Sequence, residues 1–316
     1  RVTGPLSRSV QFAYTGDKLT GVTGRDGQIW TYEYDAQGRM TALTDPAGKS
    51  VSNEYDAQGR VAVQRDRLGQ ATQMAYHAGY TVITDTLGFP TTHTYNSTGL
   101  LTAVTDALGH STHYEYDARW NVVAVTDRLN RVTRYTWSAC GCKYETVEDA
   151  LGHTTRMTYD ARNNLTSVTD PLTRTTRFAY DAHDNLIAIT NTLGFTATLT
   201  YDALGQLVSS TDLNGRQTRF GYDSYGNLAV ITDTLGHSTR FAYDLAGQLT
   251  TVTDANEHNT HYEYDAAGRP ITVTDALGGQ TLLAYDVVGR LTRITDALGR
   301  STRLDYDAAG RLITVT

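Results

Sequence analysis

The sequence predicts an all-β protein: tandem 21-residue β-hairpin repeats that form a long antiparallel sheet, curling into a hollow spiral shell or tube. Three observations predict it. An aromatic anchor recurs fifteen times along the 316 residues. Two turn signatures separate successive anchors, so Gly or Pro arrives about every ten residues and leaves no room for a helix. Thr, Val, Ile and Tyr, which suit a pleated surface, fill the segments between turns.

The anchors are Tyr14, Tyr34, Tyr55, Tyr76, Tyr95, Tyr116, Trp137, Tyr159, Tyr180, Tyr201, Tyr222, Tyr243, Tyr264, Tyr285 and Tyr306. From Tyr159 onward every step is 21 residues, and the earlier steps are 20, 21, 21, 19, 21, 21 and 22. Such a period is the mark of a repeat architecture, in which each copy buries its surface only against its neighbours. The reading is therefore a single array, 1–316, of about fifteen repeats. The chain begins within a repeat and without Met, so it reads as an excerpt of a longer shell, a processed product or a polymerising unit.

Each repeat has two turns. The first follows the anchor, as in Asp202-Ala-Leu-Gly205 and Asp265-Ala-Ala-Gly268. The second uses the same chemistry, as in Asp106-Ala-Leu-Gly109 and Asp296-Ala-Leu-Gly299. Asp at the start and Gly at the end suit a type I turn whose last residue takes positive φ, and the carboxylate can accept backbone N–H groups within the turn. Asn163 and Asp184 replace the first-turn Gly and tolerate that backbone. Trp120 fits the slot poorly, and Asn121 beside it is expected to absorb the strain.

The first strand alternates. Thr176, Phe178 and Tyr180 face one way, with Arg177 and Ala179 on the other. That pattern describes a half-buried strand with one apolar face. The second strand, as in Leu101 to Thr105 or Leu291 to Thr295, places two large aliphatics three apart, which implies a bulge or packing on both faces.

Two strands per repeat give about thirty strands at ~4.8 Å spacing, hence a ribbon about 140 Å wide. A twisted sheet this wide must curl, and closed into one ring its radius would be about 30 Å, too wide for side chains to fill. A β-propeller is the rival, but fifteen equal repeats pair poorly into four-stranded blades.

The phrase Tyr264-Asp-Ala-Ala-Gly-Arg-Pro-Ile-Thr-Val-Thr-Asp275, echoed from Tyr306 to Leu312, resembles the YD repeat of the RHS family, and Tyr-Asp occurs at eleven anchors. That family includes bacterial RHS toxins, C components of insecticidal toxin complexes, wall-associated proteins and the teneurins. The resemblance implies a hollow β-shell that in the toxins surrounds a C-terminal cytotoxic domain. It also implies a secreted or surface protein. The family's terminal Asp-Pro-x-Gly-Leu motif is not matched: Asp45-Pro-Ala-Gly48 is followed by Lys49, and Asp170-Pro-Leu-Thr173 lacks the Gly.

No catalytic, cofactor-binding or metal-binding residue is expected, and no cofactor. The formal charge of −7 disfavours nucleic acid, which needs a basic face. No apolar run of membrane-spanning length occurs, and Arg1 to Gly16 carry no signal-peptide pattern. His110, His153 and His237 follow second-turn glycines, so their spacing is that of the repeat. A single Asp per turn is too little for the calcium-binding β-roll loop. Cys140 and Cys142 would share a face in an extended segment; two thiols cannot complete a tetrahedral metal site, and CxxC spacing is absent. They read as an idiosyncratic pair. The functional expectation is a structural scaffold enclosing or presenting a cargo domain outside this sequence. The alternatives are a fibre or adhesin built from copies end to end, and glycan binding on aromatic rows.

Overall fold

The computed structural model describes residues 2–3, 9–308 and 310–316. Ala309 of the last first turn, and residues 1 and 4–8 before the first anchor, lie outside the described residues. The described residues contain 31 strands and no helix. Strands run from four to seven residues, apart from a two-residue one at Val2–Thr3.

The chain divides into two compact bodies. One comprises Arg1–Gln73, Tyr222–Ile231 and His237–Thr316; the other comprises Met74–Gly221 and Thr232–Gly236. Within each body, strands consecutive in sequence pair antiparallel, as the hairpin signatures require. In the first body, Asn259–Tyr264 pairs with Leu249–Thr253 on one side and Pro270–Thr274 on the other. In the second, Thr175–Tyr180 sits between Leu165–Thr169 and Leu186–Thr190.

The spacing of three in the second strand is resolved by the bulge. Tyr180 faces Leu186 and Phe178 faces Ile189, while Ile187 is skipped by the register shift. The extra residue brings Leu186 and Ile189 onto the face that carries Phe178 and Tyr180. Across the next pairing, where no shift occurs, Ile189 opposes Ala197 and the apolar face continues. The same shift recurs beside Tyr34, Tyr116, Trp137 and Tyr264. The opposite face is a hydroxyl face, where Thr190 and Thr196 meet at 2.9 Å and Thr200 and Ser209 at 2.8 Å.

Both turns are hairpin turns of one design. In the first turn after Tyr34, Gly38 N–H donates to the Asp35 carbonyl at 2.9 Å and Asp35 N–H to the Arg39 carbonyl at 3.0 Å. Gly38 sits at φ +80°, where a side chain would be strained. Asn163 and Asp184 take the same conformation, at φ 69° and 66°. The expectation for Trp120 is corrected: Trp120 itself adopts φ 68°, and Asn121 takes up none of the distortion. Asn121 instead braces the turn, its amide group donating to Asp117 Oδ2 at 3.0 Å.

Among the described residues, side chains pack into almost no buried core. Ala124 is the one buried hydrophobic among the described residues. The accessible surface is 19633 Å². A compact monomer of 34.7 kDa would expose about 13,000 Å², so the sheet is one layer thick over most of its area. A propeller, whose blades pack face to face, would bury far more.

Candidate functional site

With almost no core, something other than packing must hold successive hairpins in place. The anchor aromatic does so. Its strand lies beside the second strand of the preceding repeat, and at many anchors the hydroxyl donates to the carbonyl of the residue fifteen positions earlier. Tyr116 reaches Leu101 at 2.6 Å, Tyr264 reaches Leu249 at 2.7 Å and Tyr285 reaches Pro270 at 2.8 Å. Tyr34, Tyr201 and Tyr306 do the same at 2.9 Å. At Trp137 the indole Nε1–H replaces the hydroxyl and donates to the Val122 carbonyl at 2.8 Å. A Phe would fill the same space without a donor, which accounts for the preference for Tyr. Burial pushes the hydroxyls of Tyr159, Tyr264 and Tyr285 above their ordinary pKa.

The turn aspartates form the second part of the ladder. Asp35 Oδ1 accepts from the N–H groups of Gln37 at 3.0 Å and Arg39 at 2.9 Å, while Oδ2 accepts from Arg39 Nε at 2.6 Å. The residue after the turn glycine is thus a staple, and three chemistries serve. Arg269, Arg290 and Arg311 form ion pairs at 2.6 Å with Asp265, Asp286 and Asp307. Asn164, Asn185 and Asn227 donate through their side-chain amides. His110, His153 and His258 place Nδ1 at 3.3, 3.0 and 3.1 Å from the turn carboxylate. Of the repeat-spaced histidines, His110 and His153 are therefore turn staples, and His258 is a third. Three of the arginines also stack on the next anchor, with Arg39, Arg269 and Arg290 lying 4.5, 4.9 and 5.0 Å from the ring centres of Tyr55, Tyr285 and Tyr306.

These contacts favour the ionised carboxyls. The Arg39 amide holds Asp35 below the usual carboxylate range, and the Arg131 side chain does so for Asp127. At Asp265 burial pushes the other way but is outweighed by the amide and guanidinium of Arg269.

The two turns define two rims. On the second-turn rim the third turn position carries exposed leucine. In the second body Leu87, Leu108, Leu151, Leu193 and Leu235 are 78, 82, 80, 79 and 79% exposed; in the first, Leu277 and Leu298 are 97 and 77% exposed. At Asp26 and Leu68, early in the first body, this rim is less exposed. Asp26, which occupies the same slot, approaches the guanidinium of Arg269 on a first turn at 3.9 Å, and Leu68 is only 38% exposed. A second-turn tip can therefore seat against a first-turn rim of a distant repeat.

The cysteines form a disulfide, Cys140–Cys142. They lie in the turn between Trp137 and Tyr144, which carries one extra residue: Ser138 N–H donates to the carbonyl of Lys143, five positions on, where other turns span four. The pair's shared face and the 22-residue step were the available signals in the sequence. No cluster of three or more His, Cys, Asp or Glu side chains among the described residues could hold a metal ion. No described helix is long and apolar enough to cross a membrane.

The family model described as Teneurin YD-shell matches residues 149–316, and that described as RHS Repeat matches 14–50 and 95–119. No curated protein matches the sequence. Among solved structures, TcdB2-TccC3-Cdc42 aligns over 98% of this chain and 21% of that one, at 15% identity and a TM-score of 0.61. The Tc holotoxin pore of Photorhabdus luminescens aligns over 98% and 20%, at 16% identity and 0.61. TcdB2-TccC3 without its hypervariable C-terminal region aligns over 97% and 20%, at 16% identity and 0.60. The fold is shared, and the chain spans about a fifth of the length of those structures.

Proposed function

Because the chain belongs to the Teneurin YD-shell family, we propose that residues 1–316 are one array of about fifteen repeats serving as a stretch of container wall. The wall encloses or presents a cargo domain that lies outside this sequence. The array itself catalyses nothing, and the protein works outside the cell or at its surface. Likeness to a toxin assembly makes a toxin-like domain the favoured cargo.

The observation that carries this reading is the single-layer sheet with its stitched repeats. A sheet with one buried hydrophobic among the described residues uses its side chains to hold neighbouring strands together more than to fill a core. Anchor hydroxyls such as that of Tyr264, turn carboxylates such as Asp265 and staples such as Arg269 are engaged within the sheet. That commitment also weighs against glycan recognition by the anchor rings. The leucine rim fits the same role, because contiguous exposed apolar groups mark surfaces that another surface covers. In a wall the next course of the same ribbon would cover them, in the manner of Asp26 and Arg269.

A fibre of copies joined end to end is the competing use of such a sheet, since open strand edges recruit further strands. Sedimentation and negative-stain imaging of the purified chain over a range of concentrations separate the two. Dispersed particles of constant mass support the wall. Filaments that lengthen with concentration would establish the fibre instead.

A further inference from the structure

We infer that Cys140–Cys142 is a thiol-exchange site: a disulfide that accepts a thiolate from a partner cysteine or a small thiol while the sheet remains folded. The inference stands apart from the proposed role as a wall.

Cross-links that staple a fold gain stability by closing long loops in the unfolded chain. This one encloses only Gly141, so it constrains almost nothing. It is also outside the repeat design. Most other turns use an Asp or Asn side chain to gather backbone N–H groups, whereas here Ser138 stands in that slot and Cys140 Sγ takes the N–H of Cys142. Both cysteines are exposed at the turn, open to an attacking thiolate.

The two sulfurs are not equivalent. Cys140 Sγ lies 3.0 Å from Ser138 Oγ and 3.4 Å from the backbone N–H of Cys142, two donors that would stabilise negative charge on it. Cys142 Sγ has only Asn163 Oδ1, an acceptor, at 4.0 Å. Cations stand close to the turn: Arg119 donates to the carbonyl of Ala139, and Lys143 follows Cys142 directly. Exchange is fastest when the leaving sulfur is the more acidic one. Cys140 is therefore the leaving sulfur and Cys142 the one attacked.

The step balances without a cofactor. A thiolate RS⁻ attacks Cys142 Sγ, the S–S bond breaks, and its electron pair leaves on Cys140 as a thiolate held by Ser138 and the Cys142 amide. The product is a mixed disulfide between Cys142 and R. A second thiol attacking the R sulfur releases RSSR and leaves Cys142 reduced, so two thiols deliver two electrons and two protons to the pair. In the reverse direction the Cys140 thiolate attacks the mixed disulfide, frees RS⁻ and restores the ring.

The test uses the purified oxidised chain with reduced glutathione at neutral pH, quenched by acid and read by mass spectrometry, with circular dichroism followed in parallel. Exchange with the β-sheet signal unchanged is expected. Ser138→Ala should slow it about tenfold, since a hydrogen bond to a charged group is lost. In Cys140→Ser the remaining thiol should take up oxidised glutathione at Cys142, and the double variant Cys140→Ser/Cys142→Ser should melt within about 2 °C of the parent, given the short loop. Reduction only after the sheet signal is lost would overturn the inference. So would a double variant that melts much earlier, which would make the bond a staple, or an exchange rate that ignores Ser138.

Discussion

Replacing the anchor Tyr264 by Phe removes one atom, the hydroxyl oxygen that donates to the Leu249 carbonyl at 2.7 Å, and leaves the ring in place. A hydrogen bond of this kind contributes about 1 kcal/mol net, within 0.5–1.5. Packing is untouched and no charge changes, so the whole effect should be that value, a roughly fivefold shift in the opening equilibrium. Because neighbouring repeats hold one another in such arrays, the loss should be local. The sensitive assay is native-state hydrogen exchange, in which amides of Leu249–Thr253 and Asn259–Tyr264 should exchange about fivefold faster. Tyr225→Phe is the control, since that ring is 80% exposed at a turn tip; it should change protection by less than twofold. Equal effects of the two substitutions, or none at Tyr264, would refute the claim that anchor hydroxyls stitch the repeats together.

Thr173, a β-branched residue at φ 64°, and Trp120, at φ 68°, occupy slots built for glycine. Thr173→Gly should stabilise by about 1 kcal/mol in denaturant titration, since left-handed backbone costs side-chain-bearing residues ~1–2 kcal/mol. Asn191 already serves in a second turn, its Oδ1 accepting from Leu193 and Phe195 N–H groups at 2.9 and 3.0 Å. Asp85→Asn should therefore be nearly neutral, while Asp85→Ala, which strips the same two bonds to Leu87 and Phe89, should cost about 1–2 kcal/mol by the same titration. Acid should unfold the array progressively. Turn carboxyls such as Asp35, Asp106, Asp127 and Asp296 are depressed from 3.8 in the folded chain, so their contribution is present above that value and is lost as pH falls below it. Melting temperature should be flat from neutral pH to about 5 and then fall steeply below about 4. A melting temperature that rises through that window would contradict the sign.

Much of this was legible in the sequence because the chemistry of the repeat is local. Asp-x-x-Gly fixes a turn through bonds within five residues, and the alternation of Phe178 and Tyr180 fixes a face. The bulge was legible too, because the spacing of Leu101 and Val104 has few solutions in a strand. What eluded the sequence was set by neighbours across the sheet. The anchor hydroxyl finds its acceptor fifteen residues away, a distance that follows from strand pairing and carries no local signature. Trp120 was misjudged because hydrogen bonds from Asn121 to Asp117 reinforce the turn without relieving the residue in the strained slot. The disulfide needed the extra residue at Cys142 to be placed in the turn. The leucine tips looked like turn residues of no consequence until their exposure was set beside the 38% of Leu68.

The central claim is that these repeats build a wall around something else. Electron cryo-microscopy of the full-length protein that contains residues 1–316 tests it most directly. The expected result is a continuous wall one sheet thick, about 10 Å across with its side chains, enclosing separate density for the cargo. A solid particle with blades packed face to face, or a filament with no enclosed density, would contradict it.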